Sequence, residues 1–360
     1  MKKIISILLV LLLATSMIFA GGKKDAGAAS DKIGVSMPTK DLQHWNQDGA
    51  NMKEKLEAAG YKVDLQYAAN DIATQISQVE NMITSGCKVL VIAAIDGSSL
   101  SNVLATAKTK GIKTIAYDRL IMDTDAVSYY ATFDNYKVGV FQGNYMVDTL
   151  GLKTRSASDP VYMEFFTGDP GDNNANFFFG GAMDILTPYI EKGVIVCPSK
   201  QTAFAQCATL AWDSANAQAR MENLITSNGY GPNANKLDAV MCSNDSTAQG
   251  VTTALVGAGY DKSNFPVITG QDCDIVSVKN ILAGLQSMSI FKDTRTLAGK
   301  VVEMVDAIMK GSNPPINDTK TYDNNVFVVP SFLCDPVFAD ISNYKELLLD
   351  SGYYKESELK

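Results

Sequence analysis

The chain has 360 residues, 46% of them apolar and 19% charged, with 31 basic against 39 acidic side chains and a formal net charge of −8. That length exceeds one ordinary compact domain and suits two, each able to bury its own core. The acidic balance argues against a nucleic-acid partner, whose phosphates it would repel, and the single histidine argues against metal sites or catalysis built on paired imidazoles.

Lys2 and Lys3 are followed by an uncharged apolar run from Ile4 to Phe19, then Ala20, Gly21 and Gly22. This is the layout of a secretory signal peptide over 1–20, with export to the periplasm as its consequence. An uncleaved membrane anchor is the competing reading, because the run reaches the lower edge of what spans a bilayer. Residues 21–30 read GGKKDAGAAS, without the cysteine that lipid attachment would need. Cleavage would remove Lys2 and Lys3, leaving 29 basic against 39 acidic groups and a charge of −10. Residues 21–31 have the composition of a flexible tether, so the fold is expected to begin at Lys32.

From Lys32 onward a β-branched apolar run, a turn, an amphipathic stretch of helical length and another apolar run recur. Such alternation predicts an α/β fold of parallel sheets covered by helices. Strands are expected over 32–37, 62–67, 89–93 and 114–117, with helices over 47–59, 71–85 and 99–110. After a strand over 129–133 the pattern restarts, with strands over 161–166, 194–197, 239–242 and 267–269 and helices over 177–190, 215–228 and 246–257. The chain therefore reads as two similar Rossmann-like lobes.

Cys87, Cys197, Cys207, Cys242, Cys273 and Cys334 are scattered rather than spaced as a disulfide framework or as zinc-ligand pairs. Buried small side chains are the default, although Cys197 and Cys207 are close enough in sequence to bridge after export. No cofactor fingerprint opens any helix. The nearest stretch, Gly168-Asp-Pro-Gly171-Asp-Asn, lacks a third glycine and carries two acids where phosphate would sit. Neither a metal nor a cofactor is expected.

In open parallel sheets ligands lie beyond the carboxyl ends of the strands. There the chain places His44-Trp45, Asp118-Arg119, Asp172-Asn-Asn174, Asn244-Asp245 and Gln271-Asp272. Carboxylates and amides can engage neighbouring sugar hydroxyls in pairs, and arginine supplies fixed donors. The only two tryptophans, Trp45 and Trp212, fall in different lobes and could sandwich one flat ligand. Any one of these groups has a plainer reading: helix capping accounts for residues such as Asn174, Asp245 and Asp274, Trp212 could lie on a lobe surface, and Lys292 could be a solvated cation. Their joint occurrence favours a binding cleft.

At IAYDRLI (115–121), GDNNA (171–175), SNDSTA (243–248), TGQDCD (269–274), FKDTR (291–295), NDTKTY (317–322) and the terminal SGYYKESELK, the sequence resembles the periplasmic xylose-binding and multiple-monosaccharide (ChvE-type) binding proteins of bacterial ABC importers. The resemblance covers almost the whole mature chain. It implies the type I periplasmic binding protein fold, with cleft residues Trp45, Asp118, Arg119, Asp172, Asn174, Trp212, Asn244, Asp272 and Lys292, the indoles packing on the sugar faces and the polar groups holding hydroxyls. One departure stands out: His44 occupies the place where that family usually has arginine, a permanently charged fork of donors. A histidine pointing into the cleft would make binding pH-dependent near ~6.5.

The resemblance also implies a three-segment hinge, expected near 133–135, 291–292 and 322–326. That divides the chain into a first lobe of 32–134 plus 292–322 and a second of 135–291 plus 323–360. The function implied is that of a non-enzymatic, monomeric receptor for xylose, glucose, galactose or arabinose, which hands its ligand to a membrane permease. A sensing module that presents a sugar or furanosyl signal to a chemoreceptor or sensor kinase is the alternative. An exported enzyme with Asp118 and Asp272 as acid and base is a weaker rival. A sugar-responsive repressor would need a basic helix-turn-helix where this chain has its leader.

Overall fold

The first strand, β1 (Lys32–Met37), has Ile33, Val35 and Met37 on one face, and all three are fully buried. Gly34 and Ser36 face the other side and are buried as well. A strand covered on both faces reads as a near-continuous apolar run, the mark of a parallel sheet with helices on each side. The structure, a computed structural model, describes residues 31–360. The expected leader, and all of the tether except Asp31, lie outside the described residues.

β1 is joined by β2 (Lys62–Tyr67), β3 (Val89–Ile92), β4 (Lys113–Tyr117) and β5 (Tyr129–Phe133), with helices α1 (Gln43–Ala58), α2 (Ile72–Thr84) and α3 (Ser101–Thr109) between them. The sheet has six parallel strands in the order β11-β5-β4-β3-β1-β2, and its sixth member, β11 (Ser331–Cys334), comes from near the end of the chain. The second lobe holds α4 (Asn135–Thr149), β6 (Val161–Phe166), α5 (Asn173–Glu191), β7 (Ile195–Val196), a short α6 (Phe204–Cys207), α7 (Ser214–Asn228), β8 (Ala239–Cys242), α8 (Asp245–Gly257), β9 (Val267–Ile268) and α9 (Ile275–Ala283). Its strands pair in the parallel order β7-β6-β8-β9. β10 (Met288–Phe291) pairs antiparallel with β12 (Val337–Asp340), and α10 (Thr294–Met309) returns to pack with α1 on the first sheet.

Separate apolar clusters cover the two faces of each sheet. Ile33, Val35, Val91 and Leu297 lie on one side of the first sheet and Leu90, Ile92, Leu104 and Tyr130 on the other. In the second lobe α4 and α5 approach closely through glycines: a Cβ on Gly181 would sit 2.2 Å from the Tyr136 carbonyl oxygen. This contact packs the middle of α5 against α4, and two of the expected site residues, Asp172 and Asn174, lie at the start of α5.

One boundary differs from the sequence reading. Residues 323–334 do not go with the second lobe, because β11 pairs residue for residue with β5 in the first sheet. Asn324 anchors this segment by donating from Nδ2 to the carbonyls of Ile121 and Thr124, at 3.2 and 2.7 Å. The third passage between the sheets therefore lies between Cys334 and Val337, not at 322–326. Its signal was weak, since SFLC is a short edge strand with no helix between it and β12.

Cys197 and Cys207 are both free thiols, like the other four cysteines. Each sulfur faces the Gln201 carbonyl oxygen, at 3.7 and 3.2 Å. Among the described residues no helix is long and apolar enough to cross a membrane.

Candidate functional site

The carboxyl ends of both sheets face a common cavity lined by His44, Trp45, Asp118, Arg119, Asp172, Phe178, Trp212, Asn244, Gln271, Asp272 and Lys292.

From the first lobe come His44 and Trp45, on the first turn of α1, which starts earlier than the periodicity indicates, at Gln43. Trp45 is fully buried, with Arg119 over its ring at 5.1 Å and the His44 ring at 4.1 Å. Asp118 and Arg119 follow β4. Asp118 has a left-handed backbone (φ 55°), and its carbonyl oxygen accepts from Tyr130 Oη, Thr132 Oγ1 and Asn174 Nδ2 at 2.5, 2.9 and 2.6 Å. Left-handed geometry costs a non-glycine residue of order 1 kcal/mol or more, and three donors on one carbonyl over-determine it here.

The second lobe supplies Asp172, the N-cap of α5. Its Oδ1 accepts from the Asn174 amide at 3.0 Å, while Oδ2 accepts from Trp212 Nε1 at 3.2 Å and lies 3.1 Å from Arg119 Nε across the cleft. Trp212 is 3% exposed and so is not a surface tryptophan. Ala211 and Trp212 are both left-handed, with φ of 56° and 54°. The turn is pinned where Ala211 donates its amide to Asp169 Oδ2 and Ser246 donates to the Trp212 carbonyl at 2.6 Å. Phe178 backs the indole edge-on at 6.1 Å. Gly168 leaves room for it, since a Cβ there would lie 1.9 Å from Trp212 Cη2.

Lys292 sits where the chain passes from β10 to α10, with Nζ 3.5 Å from Asp118 Oδ1 and 3.1 Å from Asp272 Oδ1. Burial by itself would lower the ammonium's pKa, but Asp118 and Asp272 outweigh it and hold it well above the ordinary value. Asp172 moves the other way for a carboxyl: burial pushes it up, Arg119 pulls it down, Asp118 pushes it up again, and the balance is raised. The charges are thus paired across the cleft, which is what makes their burial tolerable.

Nine of the ten expected residues line the cavity. The tenth, Asn174, is fully buried beside it and ties the lobes together, donating to Asp118 and accepting from Tyr130 Oη at 2.9 Å. Helix capping falls elsewhere than expected: Asp172 and Asn244 cap α5 and α8, whereas the Asn174 side chain does not cap and Asp274 makes no side-chain cap bond. Two further residues line the wall: Phe178, which the sequence did not single out, and Gln271, which it placed at a strand end beside Asp272 without carrying it into the site. Phe178 follows Asn174 by four residues on α5, the spacing that places side chains on one face. Gln271 stands beside Asp272 in the loop that follows β9. The buried Trp45 Nε1 and Gln271 Oε1, a donor and an acceptor in the cavity wall, have no protein partner.

Residues 33–313 match the family model described as periplasmic binding protein domain. The chain is 50% identical to the multiple sugar-binding periplasmic receptor ChvE of Rhizobium radiobacter over the full length of both. It is 38% identical to the D-xylose-binding periplasmic protein of Escherichia coli, over 98% of each chain. An ABC transporter solute-binding protein from Clostridium phytofermentans, solved with bound β-D-glucose, is 63% identical and superposes with a TM-score of 0.88 over 91% of this chain and all of that one. These matches, together with paired parallel sheets facing one charged cleft, make the chain a member of the periplasmic binding protein family, on the branch that holds the multiple-sugar-binding and D-xylose-binding periplasmic proteins.

Proposed function

We propose that this protein captures an aldose monosaccharide in the cavity between its lobes and delivers it to the membrane permease of an ABC importer, without covalent chemistry. The observation that carries this reading is the composition of the cavity wall: carboxylates, a guanidinium, an ammonium and amides interleaved with two indoles, drawn from both lobes. Each sugar hydroxyl both donates and accepts, so it can satisfy Trp45 Nε1 and Gln271 Oε1 alike. The relatives bind glucose, xylose or several sugars by name, in keeping with a pyranose here.

His44, Trp45, Asp118, Arg119, Asp172, Trp212, Asn244, Asp272 and Lys292 are the proposed ligand contacts, with Asn174 as the clasp beside them. The proposed hinge passes at Phe133–Asn135, Phe291–Thr294 and Cys334–Val337. Closure buries polar groups that need partners from both sides, so the closed form is favoured when a ligand completes the set. Micromolar capture requires only about −8 kcal/mol. Export by the leader over 1–20 would put the protein where such a receptor works.

The test is a thermal-shift screen of protein unfolded and refolded to shed bound sugar, against xylose, glucose, galactose, arabinose, ribose and fructose, with calorimetry on the best hit. A rise of several degrees with one or two aldoses supports the reading. Silence across the panel overturns it and turns attention to the sensory alternative.

A further inference from the structure

We infer that Asp48, which does not line the cavity, is a positioning residue: it holds Nδ1 of His44 as a donor and keeps a proton on the ring, so that His44 offers Nε2–H to the ligand and binding tightens as the medium becomes more acidic. This rests on the monosaccharide reading above.

Asp48 and His44 lie four residues apart on α1, a spacing that stacks side chains on one helix face. Asp48 Oδ2 is 3.3 Å from His44 Nδ1. The carboxylate is 3% exposed, and its other oxygen accepts a hydrogen bond from Tyr117 Oη. With Nδ1 committed to Asp48, Nε2 is the ring atom left for the cavity that His44 lines. On a neutral ring Nε2 would accept; on the imidazolium it donates, as does the arginine usual at this place in the resembling family.

The surroundings favour the proton. Asp48 on the same helix and Asp272 beyond β9 face the ring with negative charge, against Lys292 from the β10–α10 passage, while Asp274, whose carboxyl is pushed up to about 7, adds its charge only above that pH. Around Asp48 itself stand Tyr117 and Asp118 from the end of β4, Tyr67 from β2 and Tyr353 from the chain's tail. Burial alone would push the imidazole's pKa down, but Asp272 and the hydrogen bond with Asp48 outweigh it and hold it above the ordinary value. Asp48 is raised by burial and by Asp118 and pulled back by His44. Ordinary values of about 6.5 for imidazole and about 3.9 for carboxyl put the pair's first proton on the ring. Both partners belong to α1, so the pair forms whether the lobes are open or closed.

The chain has one histidine, so in untagged protein the imidazole NMR signals assign themselves. In unliganded wild type His44 is expected to titrate above ~6.5, and in Asp48→Asn lower than in the wild type. D-glucose affinity by calorimetry is expected to fall about threefold or more from pH 5.5 to 8 in the wild type, with a midpoint that follows the NMR value, and to lose that midpoint in His44→Arg, where Asp274 is the group still titrating near 7. An equal His44 titration in both proteins, or a wild-type value below ~6.5, would overturn the positioning role. Even if Asp48→Asn does not fold, a wild-type value below ~6.5 still overturns the role. A shifted titration with flat wild-type affinity would overturn the coupling to binding. Absence of sugar binding at every pH would count against the monosaccharide reading, while the NMR arm still decides the pair.

Discussion

Asn174 Nδ2 lies 2.6 Å from the backbone carbonyl oxygen of Asp118, joining the first turn of α5 in one lobe to the turn after β4 in the other. The same amide's oxygen accepts from Tyr130 Oη at 2.9 Å. Two bonds of one buried side chain thus depend on the lobes being together. Asn174→Ala is expected to weaken the closed form by about 1 kcal/mol. Calorimetry with D-glucose should show an affinity about fivefold lower, and small-angle scattering a more open unliganded protein; unchanged values for both would remove Asn174 from the clasp.

Asp118 carries both a left-handed backbone and a charge paired with Lys292. Asp118→Ala is expected to cost at least about 1.5 kcal/mol of sugar binding, roughly tenfold, by removing a hydroxyl acceptor and leaving Lys292 short of a partner. Asp118→Asn keeps a residue that tolerates the left-handed turn. A comparable loss in Asn would trace the effect to charge, whereas affinity retained in both variants would exclude Asp118 from the site.

The indole of Trp212 occupies the space in front of Gly168, where a Cβ would lie 1.9 Å from Cη2 and 2.0 Å from Cζ2. Gly168→Ala is expected to displace Trp212 from the cavity wall and reduce sugar affinity at least about tenfold, with a change in tryptophan fluorescence. Its far-ultraviolet circular dichroism should match the wild type, because no helix or strand contains Gly168.

Asp274 is 6% exposed, and its Oδ1 has no partner. Burial, then the neighbouring Asp272, pushes its carboxyl pKa up to about 7. An acid whose pKa is raised on folding binds its proton more tightly in the native state. Stability therefore falls as pH rises from about 4, the ordinary carboxyl value, toward 7, and the penalty is complete above that. Asp274→Asn is expected to raise the Tm at pH 8 and to leave it nearly unchanged at pH 4. A Tm difference of equal size at both pH values would exclude titration as the cause.

How much of this was legible depends on the reach of each signal. β1, β5, β6 and β8 have the bounds that their apolar runs indicate, since a buried parallel strand leaves a run closed by turn residues, and β2, an edge strand, has those its alternation of Val63, Leu65 and Tyr67 indicates. The start of α1 was read four residues late because Leu42, its N-cap, makes no side-chain cap bond and so carries no capping signature. Phe178 went unnoticed among the apolar residues of α5, where a wall of the cavity and a wall of the core look alike. Asp48 was passed over because an acid four residues from a histidine is ordinary on a helix surface.

By itself the sequence determined the two α/β lobes and the strand ends at which a ligand would sit, because these follow from local periodicity, and its resemblance to a known family, carried by motifs confined to single loops, supplied nine of the residues that line the cavity. Only the tertiary structure decided which sheet receives β11, that Asn174 is a clasp and not a cap, that Lys292 stands between Asp118 and Asp272, and that His44 is held by Asp48. Each of these depends on groups brought together from distant segments or on burial, and distance and burial are properties of the packed lobes, not of neighbouring positions along the chain.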